Sequence, residues 1–390
     1  MNFKTGNQPL RLMAAGVLAS ALVSACAAGS GTSSNSVANE ADVTKAQAAL
    51  ETAYAGTDGP VPSSGPQAAA DKEVWLISCG EAAEGCAAPH AAAAEAAEAM
   101  GWETTSCDGK LNPATYGECV RNATAASPDA IVLISVSCEA VQEPLSAAKE
   151  AGIKIYAVDA FDCDSNGGDA LFDGEIIYHD NASIEDRYQT DIAEAMASYL
   201  VATNDGAAKT IVLRQDDALA SRYLADGLED ALADCAGCET YTLVISLGDF
   251  SDGSFANKVS AALVQHPDAN AVAAPYDAMI NLGAGQSILK AGRPITLVSL
   301  GGLASNVDLI RDGGQTMDVG TPSGWIGWAA IDGLNRVFAG APQVDSGIGL
   351  QVIDKDHNLP GEGQAYDGNL GSDGKPAQDY KAIYRASWGG

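Results

Sequence analysis

Charged and aromatic residues gather at the ends of short apolar runs in this 390-residue chain. Asp159 follows the run Lys154–Val158, Arg222 lies beyond Thr210–Arg214, Phe250 follows Thr240–Ser246, and Tyr276 follows Ala271–Ala274. Glu81, Ser137, Phe161 and Trp325 stand at comparable places. A carboxylate and a guanidinium make charge-assisted hydrogen bonds that suit pairs of hydroxyl groups. Aromatic faces suit the C–H surface between such hydroxyls, so the set fits recognition of a small polar molecule. Each residue also has a plainer reading. Asp159 can cap or pair across a hinge, Arg222 can form a surface ion pair, and Phe250 can pack in a core. Trp325 opens a helical stripe that is mostly core, and it is the member of that stripe able to face a cleft. Asp277 immediately precedes a helical run and reads as its N-cap.

The chemistry stops short of catalysis. The sequence has no GxSxG elbow, no GxGxxG after a strand and no Walker A loop. His90, His179, His266 and His357 are scattered, with His266 inside an HPD turn. No enzyme activity and no cofactor is expected. The stretch from Asp354 to Asn358 imitates the start of a calcium loop, but Leu359 stands where glycine is needed and Ala365 where glutamate is needed. An acidic turn is the better reading, and no metal site is expected.

Beyond Cys26 there are eight cysteines: Cys79, Cys86, Cys107, Cys119, Cys138, Cys163, Cys235 and Cys238. An even count outside the cytoplasm reads as disulfides, although eight cysteines allow 105 pairings. Proximity in sequence favours Cys79–Cys86, Cys107–Cys119, Cys138–Cys163 and Cys235–Cys238. The spacings lack paired CxxC units with interleaved histidine, which argues against zinc. The Cys235–Cys238 pair follows a helical pattern instead of opening one, so a structural staple is favoured over a redox centre.

The elements that hold these residues begin after an export segment. Lys4 and Arg11 precede an apolar run from Leu12 to Ala25, which is about 14 residues against the ~20 a spanning helix needs. Small residues then meet Cys26. Residues 26–71 form a Gly/Ser/Ala/Asn-rich and Pro-rich stretch, expected as a flexible tether with a possible helix at Val43–Tyr54. From Lys72 onward, apolar strand candidates alternate with helical runs such as Ala87–Met100, Ile184–Ala202 and Ser221–Ala233. That alternation implies βαβ units and parallel sheets, and its length implies two lobes. The net charge of −30 disfavours any phosphate backbone, so nucleic acid is not an expected partner.

The stretch VQHPDANAVAAPYDAMINLGAGQSILKAGR from Val264, followed by ITLVSLGG, resembles the periplasmic sugar-binding proteins of the ribose-binding type. SPDAIVLISVS, AAKEAGIKIYAVDA and SRYLADGLEDAL are further matches. The resemblance spans about 73–355. Bacterial repressors that share this fold are set aside by the export segment and the missing helix-turn-helix. The junction at Cys26 resembles a lipobox, which implies cleavage before Cys26 and acylation of its sulfur, leaving a lipoprotein on the outer face of the membrane.

The family implies an α/β fold of two doubly wound parallel-sheet lobes joined by a three-strand hinge, the type I arrangement. By pattern the first lobe holds 72–173 plus 321–346 and the second 174–320 plus 347–358, with 359–390 as a tail. The resemblance further implies a monomer that closes over a sugar-like ligand and delivers it to an ABC permease and its ATPase. A ligand-sensing subunit for a membrane receptor is the alternative. Asp159, Arg222 and Phe250 match the family's strand-end aspartate, second-lobe arginine and stacking aromatic, while Tyr276 replaces a common asparagine. Other positions depart: Ala160 stands for an arginine, Gly301 for an aspartate, and Gly320 lies near where a glutamine is usual. An unpaired hydroxyl in a dry cleft costs ~1–3 kcal/mol. With Tyr276, Trp325 and Phe161 as extra rings, a nucleoside or aromatic compound remains a second expectation.

Overall fold

The computed structural model describes residues 33–371 and 374–389. The export segment and Cys26 lie outside the described residues. Among the described residues eleven strands form two sheets, and the runs Lys154–Val158, Thr210–Arg214, Thr240–Ser246 and Ala271–Ala274 each fall on one of them. The first sheet contains β1 (Glu73–Ser78), β2 (Glu103–Asp108), β3 (Ala130–Ile134), β4 (Lys154–Val158) and β5 (Gly174–Glu175). Its order is β2-β1-β3-β4-β5, all parallel. The second contains β6 (Lys209–Gln215), β7 (Glu239–Ile245), β8 (Ala271–Ala273), β9 (Thr296–Gly301), β10 (Met317–Gly320) and β11 (Gln351–Asp354). Its order is β11-β10-β9-β8-β6-β7.

Strands covered by helices on both faces need apolar side chains at every position, and β3 is buried throughout. One strand departs from the expected parallel pattern. β11 pairs antiparallel with β10, Val319 standing opposite Val352. The chain leaves β10 for the first lobe and comes back to the same end of the sheet, so β11 must run in the opposite direction.

The alanine-rich helix Glu84–Ala99 owes its composition to a close neighbour. It lies against the helix Ser323–Ala339, and a Cβ on Gly327 would stand 2.6 Å from Ala92 Cβ. Only small residues allow that approach. The close packing of this helix is therefore mainly against another helix. Among the described residues, no helix is long and apolar enough to cross a membrane.

The lobes are joined where Ile177 bridges Asp345, where Thr321 and Pro322 lead into the helix Ser323–Ala339, and where the chain returns before β11. Four cysteine pairs stand at disulfide distance, with Cα separations of 5.5 Å (Cys79 and Cys86), 5.8 Å (Cys107 and Cys119), 5.0 Å (Cys138 and Cys163) and 5.3 Å (Cys235 and Cys238). The first and third pairs involve loops that follow β1, β3 and β4, and the second sets β2 beside the helix Pro113–Ala126.

The segment expected as a flexible tether is instead structured from Ser33, and the helix expected at Val43–Tyr54 is present as part of a longer one. A helix, Ser33–Ala55, lies on the second lobe and buries Ala46, Leu50 and Ala53 beside Met196 and Leu200. Asp42 accepts the Ala236 N–H at 3.0 Å, so the Cys235–Cys238 loop forms its seat. The chain then runs behind the hinge. Thr57 N–H donates to Leu350 O at 2.9 Å and Gly59 N–H to Gly347 O at 2.8 Å. It reaches the first lobe where Ala69 N–H meets Asn335 Oδ1 at 3.0 Å.

The tail runs alongside. Tyr366 is buried against the second lobe, with its N–H donating to Gly302 O at 2.8 Å. The helix Tyr380–Ser387 then packs on the first lobe. Trp388 stacks on Trp328 at 5.5 Å between centroids, and its indole N–H donates to Asp332 at 2.8 Å.

Candidate ligand site between the lobes

Loops beyond the carboxyl ends of strands in both sheets meet between the lobes. Two of those ends carry backbone strain. Ser135 after β3 has φ 52° and Asp159 after β4 has φ 45°, a left-handed conformation that L-residues adopt at a cost of ~1–2 kcal/mol. Such strain concentrates at functional sites.

The structure brings Asp159, Phe161, Ser137 and Arg222 to one region. The Asp159 carboxylate accepts the Tyr178 hydroxyl. Burial pushes its pKa up, while Tyr178 and the Arg187 guanidinium oppose that rise. Arg187 is buried, donates to Gly349 O at 2.9 Å, and lies 4.3 Å from the Tyr178 ring centroid. Asp159 is thus tied to the hinge, which is the plainer of its two sequence readings.

Ser137 Oγ accepts the Phe161 N–H at 3.2 Å and fixes the loop that carries the ring. Phe161 has no exposed surface. It stacks on Tyr223 of the second lobe at 5.1 Å and meets Tyr188 at 6.1 Å. Arg222 donates to Asp216 O at 2.6 Å and stands 3.6 Å from Glu139 of the first lobe.

Tyr276 is half-buried nearby. Its hydroxyl donates to Gln215, whose amide donates to Asp217 at 2.7 Å. Burial raises the phenol's pKa, with Asp217 and the first-lobe Tyr116 adding to the rise. Burial, aided by Asp108, lifts Tyr116 to about 12. At neutral pH both phenols keep their protons and can donate.

Three candidate residues stand apart from this group. Glu81 is exposed, with its carboxylate 3.1 Å from His90 Nδ1. Phe250 meets Phe255 at 4.7 Å and borders the second-lobe core, as its plainer reading has it. Trp325 does not face the cleft. It is 1 % exposed, stacked on Tyr380 at 5.8 Å, because the tail supplies the cover that its helix's apolar stripe requires.

Asp277 also differs from expectation. Its side chain does not cap the helix that follows. It accepts from Ser299 Oγ and from Leu303 N–H at 3.0 Å. Asp318 lies beside it and accepts Gly302 N–H at 3.1 Å. Burial raises both pKa values, that of Asp277 to about 6 against the opposing hydrogen bonds of Asp318, Ser299 and Leu303, and that of Asp318 well above the usual range with the Asp277 charge adding to the rise. Gly301, the departure from the family's aspartate, is explained here: a Cβ on it would meet Asp277 Oδ2 at 2.5 Å.

The loop held by this acid pair meets the opposite lobe. Ala304 N–H donates to Glu84 Oε1 and Ser305 Oγ to Glu84 Oε2, both at 2.9 Å. Glu84 therefore caps the Ala304–Asp312 helix from across the gap. Glu84 lies just before the expected helical run Ala87–Met100, and the sequence pattern gave it no role. Tyr223 was equally hidden, although its place next to Arg222 offered a signal.

The arrangement is one of two lobes whose strand-end loops meet through ring stacking, an ion pair and a trans-lobe cap. The family model described as periplasmic binding protein domain matches residues 82–342, more than half of the chain. The chain belongs to this family. No curated protein matches it in sequence.

Solved structures share the fold at low identity. An ABC transporter solute-binding protein from Mycobacterium smegmatis with bound glycerol is 19 % identical, with TM-score 0.63, covering 76 % of this chain and 100 % of its own. One from Agrobacterium vitis with bound allitol is 18 % identical, with TM-score 0.60, covering 73 % and 96 %. A galactofuranose-binding protein is 19 % identical, with TM-score 0.61, covering 73 % and 95 %.

Proposed function

We propose that the chain is an extracytoplasmic solute-binding lipoprotein that encloses a small polar ligand between its lobes and delivers it to an ABC permease and its ATPase. The observation that carries this reading is the convergence of strand-end residues from both sheets, with Phe161 against Tyr223 and Arg222 facing Glu139. Ligand seated there would touch both lobes at once, so binding and closure form a single equilibrium. The family and the glycerol, allitol and galactofuranose of the solved relatives support a sugar or polyol as ligand. Asp159, Arg222 and Tyr276 would supply polar contacts, and Phe161 a ring face once the lobes part and free it from Tyr223. The aromatic surroundings favour a nucleoside or aromatic acid as the second class.

A thermal-shift screen of the folded chain against polyols, furanoses, nucleosides and aromatic acids tests the ligand class. A true ligand at 100 times its dissociation constant adds ~2.7 kcal/mol of stability. Asp159→Ala and Arg222→Ala are expected to remove that shift. Silence across every class would count against the proposal. In this reading Cys26 carries the lipid and the four cysteine pairs are oxidised. Labelling with an alkyne palmitate analogue, lost in Cys26→Ser, would check the anchor.

A further inference from the structure

Both terminal extensions lie outside residues 82–342, and each runs from one lobe to the other. The first passes from the helix Ser33–Ala55 on the second lobe to Ala69 on the first. The second passes from Tyr366 on the second lobe to the helix Tyr380–Ser387 on the first. They are also knitted to the hinge and to each other. Asp58 accepts Gly349 N–H, on the returning hinge segment, at 2.9 Å and Asn369 N–H, in the tail, at 2.7 Å. Gln378 accepts Val61 N–H at 3.1 Å and donates to Gly59 O at 2.8 Å. Ala68 N–H donates to Trp388 O at 3.1 Å, and Leu370 N–H to Gln351 at 3.0 Å.

From this geometry we infer that the two extensions convert a three-crossing hinge into a five-crossing one that restrains opening of the lobes. A rotation axis can pass close to a few neighbouring crossings. It cannot pass close to five that are spread across the back of the molecule and bonded sideways to one another. Wide opening would shear the bonds of Asp58 and Gln378, so the ligand-free protein is confined to a narrow range of lobe angles. Asp58 is the central tie because a single carboxylate holds the first extension, the hinge and the tail.

The test needs no ligand, so its outcome is separate from that of the proposed function. Nitroxides on unnatural keto-bearing residues at the exposed positions Ala82 and Ser251 report the distance between the lobe rims without disturbing the cysteines. The expected result is one narrow distance distribution for the otherwise unaltered chain. In Asp58→Ala/Gln378→Ala it should broaden and gain a longer component. Gln378→Ala alone serves if the double variant does not fold, with a smaller broadening expected. A broad distribution in the unaltered chain would overturn the inference, as would a narrow one that persists in the variants.

Discussion

The front and back of the hinge are built from different materials. At the front the lobes meet mainly through separable polar contacts, Arg222 near Glu139 and Glu84 on the Ala304 and Ser305 loop, with one buried stack, Phe161 on Tyr223, beside them. At the back, the extensions bury rings and knit backbone to backbone, with Trp325, Trp328, Tyr380, Tyr384 and Trp388 in one cluster. Partly exposed polar contacts exchange with water at little net cost, whereas buried aromatic surface does not. A binding protein of this kind needs a front that opens repeatedly and a back that stays shut.

The contrast is most exposed to failure at Trp388. Trp388→Ala uncovers Trp328 and leaves Asp332 without its indole donor. The expected loss is ~3–5 kcal/mol in urea unfolding. A loss below that of a front-side variant would break the comparison. Gly327→Val should follow, costing ~1–3 kcal/mol, because the Ala92 neighbour leaves no room for a side chain.

Arg222→Ala and Glu84→Gln are front-side changes. Each is expected to move overall stability by no more than ~1 kcal/mol. Glu84→Gln should still widen the rim-to-rim distance, since a neutral amide caps a helix less well than a carboxylate.

The subtlest difference is in pH dependence. The folded state raises the pKa of Asp277 to about 6 and that of Asp318 further. Raised carboxyl pKa values favour the protonated folded state. The stabilisation is therefore complete at low pH and is lost as pH rises through about 6 for Asp277. Asp318→Asn keeps a neutral partner in place. Its melting temperature should fall less between pH 5 and pH 8 than that of the parent chain. Equal slopes would remove the acid pair as the cause.

Much of the fold could be read from periodicity, because strands such as β3 and β4 are continuous apolar runs whose burial leaves little freedom of assignment. The extensions were less legible for a physical reason. The helix Ser33–Ala55 shows no marked apolar stripe and buries mainly alanines, so composition made it look like a tether. Trp325 was misplaced because a helical stripe reveals that a residue will be covered, not what covers it. At the site, Asp159, Ser137, Phe161 and Arg222 were visible as strand-end residues. Glu84 and Tyr223 depend on the opposite lobe for their partners, and local pattern contains no trace of such a partner.

The tail that seals the back of the molecule is made after the tryptophans it covers. Until Trp388 has left the ribosome, the faces of Trp325 and Trp328 lack the rings that cover them. A nascent chain therefore carries an unfinished aromatic surface from the synthesis of Trp325 until that of Trp388. That surface is a natural handhold for a holding chaperone, one that the finished protein withdraws by its own completion.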